Sequence, residues 1–325
     1  MSLKNEVLDY LEKKEDEFVS GQQLADKFGV SRTAIWKAIS ELRKEGALIN
    51  AITNKGYYLV RETTLLSFDG LKKVLPEYDI HYFNEIDSTN TYLKQIANEE
   101  NDKKCIVASS KQLKGRGRLG RVFESPNGGI YFSLLINSHD DNDNNLLITS
   151  IASVAISRAI KKVCNIETQI KWVNDIYIGE KKVCGILTEG IIDMEVGKIR
   201  SMVIGIGINF STPMSQFPIE IQDIVTSIYK DEDSIPKHVN RNLLVKEIAE
   251  EIYNIWDNLP NKDFLDEYRE KSNVLGKKVT LYNRDNTTDI AIVKSINEKA
   301  HLIVELQNGE EKEIGTGEVT LRVTK

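Results

Sequence analysis

From Lys111 to Arg121 the chain carries five cationic side chains, Lys111, Lys114, Arg116, Arg118 and Arg121, and no acid, with glycines at 115, 117 and 120. Glycine lets backbone N–H groups turn toward a ligand and approach it closely. Arginine adds forked donors matched to phosphate and carboxylate. The combination suits an anion. Such a stretch buries little and repels itself, so it is expected to be mobile until an anion neutralises it. A solvated basic loop is the bland alternative. An apolar run (Cys105 to Ala108) before it, and Phe123 and the pair Gly128-Gly129 after it, favour the anion site. Gly115, Gly117 and Gly120 also satisfy the dinucleotide fingerprint, which needs a helix to follow at once. Here turn chemistry follows from Phe123 to Gly129, and then a strand-like run, Ile130 to Ile136. A dinucleotide-binding fold is therefore excluded.

Three further runs read as strands, each broken by polar groups: Gln169 to Ile178 by Lys171, Asn174 and Asp175, Lys181 to Glu189 by Lys182, and Ser201 to Phe210 by Asn209. The first two read as a hairpin around Gly179. A buried polar group must be paired. Several on one sheet beside a basic glycine loop point to a site. Asp87-Ser88-Thr89-Asn90 lies between a strand-like run (His81 to Ile86) and a helix (Thr91 to Asn98). Those groups either cap the helix or hold a small polar ligand, and local sequence leaves both open. Neither a Walker sequence nor a nucleophile elbow is present. Without an evident base or nucleophile, catalysis rests on positioning and charge stabilisation. Attack of a carboxylate on the α-phosphate of ATP needs little else: two anions held together and pyrophosphate neutralised as it leaves.

Ahead of this machinery, residues 1–62 read as a winged helix-turn-helix. Leu3, Val7, Leu8 and Leu11 fall at helical spacing. Ser20 to Gln23 is a capping box opening a second helix that Gly29 ends, and Ser31 caps a third that Gly46 closes. A hairpin around Thr53 to Gly56 follows. Residues 1–26 carry net −4 and residues 27–61 net +5, so the second half is the half for phosphates. Ser31, Arg32, Thr33, Trp36, Lys37 and Ser40 lie on the outward face of the third helix, with Lys55 in the wing, as candidate DNA contacts. A protein-interaction module is the alternative use of this fold.

The remaining chain divides into a linker at 63–70, a central mixed α/β domain at 71–270 and an all-β unit at 271–325 expected to be an SH3-like barrel, α+β overall. A short helix is expected from Gly70 to Glu77, a solvated turn at Asp140 to Asn145, a core helix from Leu146 to Cys164, and helical structure over 240–270. Apolar content of 41% and charged content of 28%, with net charge −6, are ordinary for a soluble protein. Neither a signal peptide nor a membrane span is evident. Three widely spaced cysteines suggest reduced thiols in a cytoplasm, and with four unclustered histidines they suggest no zinc site.

Five ordered stretches, Asp87 to Asn90, Lys111-Gln112 through Arg121, Lys171 to Asp175, Lys182 to Glu189 and Gly205 to Asn209, resemble the biotin–protein ligases. With the winged helix, essentially the whole chain is similar to the bacterial members that are both ligase and biotin-operon repressor. Val173 stands where the family commonly has proline, and Phe123 where it has tryptophan. The resemblance implies that Ser88, Thr89, Asn90, Gln112 and Gly185, with backbone at Gly115 and Arg116, hold biotin. It implies that Arg116, Arg118 and Lys182 meet its carboxylate and the α-phosphate. Phe123 and Asn209 would hold adenine, and Arg121 and Asn174 would meet ATP. Asp175 would lie near the phosphates and Mg²⁺, although orienting Lys182 or Lys171 is its other use, and capping a helix is the other use of Asn90. The catalytic set is then Lys182, Arg116, Arg118 and Asp175. Biotin and ATP would give biotinyl-5′-AMP, which a carrier-protein lysine attacks, the carriers being of the acetyl-CoA and pyruvate carboxylase type. The adenylate would also be the corepressor of a homodimer on inverted operator half-sites. Alternatives are a sensor without catalysis and a lipoate ligase; the loop and the architecture argue against the latter.

Overall fold

The computed structural model describes all residues except 1–2, 15–16, 45–46, 48, 53–54, 60–64, 98–103, 139–141, 194, 196, 237, 260, 284–286, 316–318 and 324–325. The chain opens with α1 (Leu3–Lys13), α2 (Gly21–Phe28), α3 (Arg32–Lys44), β1 (Ile49–Ile52) and β2 (Gly56–Leu59). Ser20 Oγ accepts from Gln23 N while the Gln23 side chain accepts from Ser20 N, and Gly29 closes α2 at φ 64°. The helical stripes meet in one core built from Val7, Leu11, Leu24, Ile35, Ile39 and Leu42, with Ile49 and Leu59 of the antiparallel hairpin beneath. The expected stop at Gly46, and Thr53-Asn54 of the hairpin turn, lie outside the described residues.

Leu65 packs against this first core and Leu66 belongs to the next. Helix α4 (Phe68–Val74) starts two residues earlier than expected, because Ser67 Oγ accepts from Gly70 N and caps it. Then come β3 (Asp79–Phe83), α5 (Thr89–Ile96), β4 (Cys105–Ser109), β5 (Ile130–Asn137), α6 (Asn142–Leu146), α7 (Ile148–Cys164), β6 (Gln169–Lys171), β7 (Asp175–Ile178), β8 (Lys181–Asp193), β9 (Lys198–Ile208), α8 (Arg241–Asp257) and α9 (Phe264–Glu270). The strands form one sheet in the order β3-β4-β5-β9-β8-β7-β6, antiparallel except for the β3–β4 pair. Alternation sorts its faces. Ile106, Leu134, Ile204 and Ile206 look toward α7 and α8, whereas Val107, Leu135 and Val203 look toward Leu93 of α5 and Ala97 just past its end. Helix α5 covers the second face mainly over β4, β5 and β9 and reaches β8 only at Leu187 and Glu189, which leaves the rest of the face of β8 and β7 for a ligand.

Several local expectations are corrected. The Gln169–Ile178 run is two strands, not one: it turns at Trp172–Asn174, so that Lys171 pairs back with Asp175. The described part of the acidic segment at 140–145 begins a short helix, α6, which takes Leu146 away from α7. Residues 240–270 form two helices interrupted after Asp257.

The last unit comprises β10 (Lys278–Asn283), β11 (Thr288–Ile296), β12 (Leu302–Leu306), β13 (Glu311–Ile314) and β14 (Val319–Val323). They form an antiparallel sheet in the order β13-β12-β11-β10-β14, bulged between Val293 and Ser295. Among the described residues its outer strands do not pair, so the sheet is open where a closed barrel is expected. The expected turn at Asn283 to Asn286 lies, past its first residue, outside the described residues. Trp172 Nε1 donates to Ala300 O at 2.9 Å, tying this sheet to the central one. No helix among the described residues is long and apolar enough to cross a membrane.

Candidate active site

Strand register lays the floor. Tyr131, Gly207, Gly185 and Asp175 lie side by side across β5, β9, β8 and β7, and Ser133, Gly205 and Leu187 form the next row. A Cβ on Gly207 would sit 2.4 Å from Cε1 of Phe123, and one on Gly185 2.8 Å from its Cε2. One on Gly205 would sit 2.1 Å from Oδ1 of Asn90. The glycines strip side chains from one face so that a ring and an amide lie directly on the backbone. Sequence reasoning missed Gly205 and Gly207 as a floor. The signal was present: glycines two apart in an apolar strand bare a single face.

The cationic loop forms one wall. Gln112 N donates to Ser125 O, Phe123 N to Gly115 O and Gly117 N to Arg121 O, closing a narrow hairpin with a 3₁₀ turn at Arg118–Gly120. Its charges meet acids distant in sequence: Lys111 with Glu85 at 2.6 Å, Lys114 with Asp87 at 2.7 Å and Arg116 with Glu189 at 3.2 Å. These pairs relieve the self-repulsion on which the expectation of a mobile loop rested. Arg118 turns inward, donating to Asn174 Oδ1 at 3.3 Å. Burial lowers the pKa of its guanidinium, against the pull of Asp175.

Floor and loop enclose a cavity of about 310 Å³, the size of a small-molecule site. At its charged end Lys182 Nζ pairs with Asp175 Oδ1 at 2.7 Å and stands 5.6 Å from the Phe123 ring centroid. This pair is the geometry required if Asp175 orients Lys182, one of its two open uses. Lys182 is fixed by its backbone, whose N–H donates to Ile224 O and whose carbonyl accepts from Thr226 N. Asp175 is the one carboxylate among the described lining residues. Val173 is buried and its peptide bond with Trp172 is cis.

The other end is neutral and dense in hydrogen bonds. Gln112 Oε1 accepts from Thr89 N at 2.9 Å and lies 3.1 Å from Thr89 Oγ1, and its Nε2 donates to Ser125 Oγ at 3.0 Å. Ser133 Oγ lies 2.7 Å from Thr89 Oγ1 and 2.6 Å from Asn90 Oδ1. Ser88 caps α5 by accepting from Thr91 N, which is the capping reading of that segment, and it also lines the cavity, where the ligand reading would place it. Asn90 does not cap; it reaches across to Glu189.

Of the expected site residues, Ser88, Thr89, Asn90, Gln112, Arg116, Arg118, Arg121, Phe123, Asn174, Asp175, Lys182 and Gly185 line this cavity. Gly115 does not; a Cβ there would sit 2.2 Å from Phe123 O, so it permits the hairpin to close. Asn209 lies behind the wall, 3% exposed, donating to Thr226 O at 3.1 Å, with its Oδ1 buried and without a partner. Ile224 and Val225 line the mouth and were missed, since their loop lies far from every motif. In the winged helix, Ser31, Arg32, Thr33, Trp36 and Lys37 are exposed and Ser40 is half-buried, while Lys55 Nζ lies 5.7 Å from the Phe18 ring centroid.

Comparison with known proteins agrees with this layout. Residues 82–209 match the biotin/lipoate A/B protein ligase family and residues 4–58 an HTH domain. The bifunctional ligase/repressor BirA of Bacillus subtilis is 38% identical over 232 residues, 70% of this chain and 71% of the relative. That of Escherichia coli is 27% identical over 310 residues, 94% of each chain. A biotin protein ligase from Aquifex aeolicus, solved in complex with biotin and ATP, superposes with a TM-score of 0.63 at 29% identity, over 76% of this chain and 99% of that one.

Proposed function

The chain belongs to the bifunctional ligase/repressor (BirA) family, and from that membership we propose that it joins biotin to a carrier-protein lysine using ATP and represses transcription through its winged helix. One observation carries the ligase reading: a single cavity has a neutral hydrogen-bonding end and a cationic end over a bare glycine floor. Biotin has the matching polarity, a cyclic urea at one end and a carboxylate at the other.

In the first step a biotin carboxylate oxygen attacks the α-phosphorus of ATP and pyrophosphate leaves, giving biotinyl-5′-AMP. Thr89, Asn90 and Gln112, with Ser88 and Gly185, hold the urea end. Arg116, Arg118 and Lys182 bring the two anions together and offset the charge that develops between them, while Asp175 keeps Lys182 at the wall. Phe123 stacks on adenine over Gly207, Asn209 supplies an amide behind it, and Arg121 and Asn174 take the phosphates. Mg²⁺ keeps most of its waters and binds through one or two carboxylates and substrate phosphates. Asp175 as the one lining carboxylate suits that mode, and the ion would shield the leaving pyrophosphate. In the second step the carrier lysine attacks the acyl carbon and AMP leaves.

The same proposal divides the chain into a DNA-binding domain (1–62), a linker (63–70), a catalytic domain (71–270) and a C-terminal SH3-like unit (271–325) whose sheet is open among the described residues. Ser31, Arg32, Thr33, Trp36, Lys37, Ser40 and Lys55 contact the operator. A lone winged helix of this charge binds one half-site weakly, so a two-fold dimer on inverted half-sites supplies the affinity. Biotinyl-5′-AMP as corepressor links ligand, dimer and DNA. Carboxylase carrier domains, in the cytoplasm, are the acceptors. The test is incubation with ATP, labelled biotin and a biotin-carrier domain, followed by pyrophosphate exchange and label on the carrier. Biotin-dependent exchange and a labelled carrier are expected; operator binding with neither would leave a sensor without catalysis.

A further inference from the structure

Glu189 lies on β8 in the row beyond Leu187, paired across the sheet with Val203. Its Oε2 accepts from Asn90 Nδ2 at 2.9 Å, and its Oε1 accepts from Lys94 Nζ at 2.7 Å and meets Arg116 NH1 at 3.2 Å. Burial opposes the charge, yet these partners hold the carboxyl below its ordinary range, so Glu189 is acceptor only. Asn90 Nδ2 also donates to Leu187 O at the longer distance of 3.3 Å, so the carboxylate is the stronger of two acceptors that hold Nδ2 toward Glu189 and Oδ1 toward Ser133.

The Asn90 orientation decides where the neighbouring hydrogens go. The Ser133 hydroxyl has one hydrogen, and lies 2.6 Å from Asn90 Oδ1 and 2.7 Å from Thr89 Oγ1. With Asn90 Oδ1 held as an acceptor, the chain of bonds runs from Thr89 to Ser133 to Asn90. The one hydrogen of the Thr89 hydroxyl is then spent on Ser133, so Gln112 Oε1, although 3.1 Å from Thr89 Oγ1, accepts from Thr89 N and keeps a lone pair for the cavity. With Asn90 flipped, the chain reverses: Asn90 donates to Ser133, Ser133 to Thr89 and Thr89 to Gln112 Oε1, which is then saturated. We propose that Glu189 is a positioning residue that sets the direction of this relay, so that the neutral end of the cavity offers an acceptor to an N–H of the substrate. The inference rests on the ligase reading and names what makes that end selective for a cyclic urea.

The test is a double-mutant cycle of Glu189→Gln and Asn90→Asp, read as KM for biotin, KM for ATP and kcat in biotin-dependent pyrophosphate exchange. A glutamine amide in place of the carboxylate leaves only the longer bond to Leu187 O against a flip of Asn90, so E189Q should raise the biotin KM about tenfold, the scale of one hydrogen bond, with kcat and the ATP KM within about twofold. N90D sets two carboxylates against each other and should cost more. The double variant restores the order, because the introduced amide donates to the introduced carboxylate, which in turn accepts from Ser133. It should bind biotin better than N90D alone. A merely structural role would lower kcat and both KM-derived efficiencies together and would not be rescued. E189Q with an unchanged biotin KM, or a double variant at the sum of the two losses, overturns the inference. A wild-type protein without exchange overturns the ligase reading as well, whereas an active wild type with an unresponsive E189Q overturns this inference alone.

Discussion

Replacing Gly207 with alanine asks whether the bare floor is what seats Phe123. The new Cβ would meet Cε1, Cζ and Cδ1 of the ring at 2.4, 2.8 and 3.0 Å. Carbon atoms rest about 3.5–4.0 Å apart, so the ring edge must retreat by about 1 Å. The floor cannot yield, because Gly207 is hydrogen-bonded in register between Tyr131 of β5 and Gly185 of β8. Phe123 therefore moves, and the adenine stack proposed for it is lost. Base–aromatic stacking is worth about 1–3 kcal/mol, which predicts a rise of about 5- to 140-fold in the KM for ATP. Biotin KM should change by less than about threefold, since Asn90 lies over Gly205 in the next row. Pyrophosphate exchange with each substrate varied in turn measures both. In a Phe123→Ala background the added Cβ meets no ring, so G207A should then cost little. An unchanged ATP KM, or an equal loss in both backgrounds, would refute the reasoning.

Lys182→Ala removes a charge proposed to face the transition state and should lower kcat for exchange by about 10²-fold or more; a near wild-type rate would remove Lys182 from the chemistry. Lys37→Ala removes an exposed cation from the outward face of α3 and should reduce the salt slope of DNA binding by about one in a titration of affinity against salt. Between the winged helix and α4, burial pushes the Glu12 carboxyl up to about 7, with Asp69 and Asp9 adding to the rise and Ser67 and Lys13 opposing it. A raised acid contributes stability that is full below its ordinary 4.5 and lost as pH rises through about 7, so the thermal midpoint should fall over that window and Glu12→Gln should flatten the fall. Asn242→Ala leaves Leu65 O and Ser67 N without the partner they now have, at about 1–3 kcal/mol for each buried group, and denaturant unfolding should show the loss.

The winged helix is legible because its signals are local. A capping box, a left-handed glycine and apolar residues at helical spacing each act within a few residues, and the structure contains all three. The cationic loop is legible as an anion site for the same reason, but its state of charge is not. Glu85 and Asp87 reach it from one distant segment of the chain and Glu189 from another. The turn at Trp172–Asn174 is hidden because it contains neither glycine nor proline, and an apolar run with mid-run polar groups reads as one strand. Of the polar groups singled out there, Lys171, Asn174, Asp175 and Lys182 line the cavity and Asn209 does not. What sequence does not carry is which neutral groups share a row across the sheet. Ser133 sits in an otherwise apolar strand and acquires a meaning only when register sets it beside Gly205.

Two successive residues at the start of α8 connect these two kinds of structure. Arg241 is 2% exposed and donates to Ser211 Oγ at 2.6 Å and to Gly128 O at 3.4 Å, in the turn that follows Phe123. Asn242 donates to Leu65 O at 2.8 Å and accepts from Ser67 N at 3.1 Å, in the segment that leads from the winged helix. Ser67 Oγ in turn donates to Glu12 of α1 at 3.1 Å. The contact is close enough that a Cβ on Gly70 would sit 2.5 Å from Asn242 Nδ2. A helix turn is stiff on the scale of these distances, and packed interiors switch between arrangements rather than deform smoothly. The turn beside the cavity and the root of the winged helix are therefore referenced to one rigid body. In this fold the first turn of α8 hydrogen-bonds both the turn after Phe123 and the segment that leads from the winged helix.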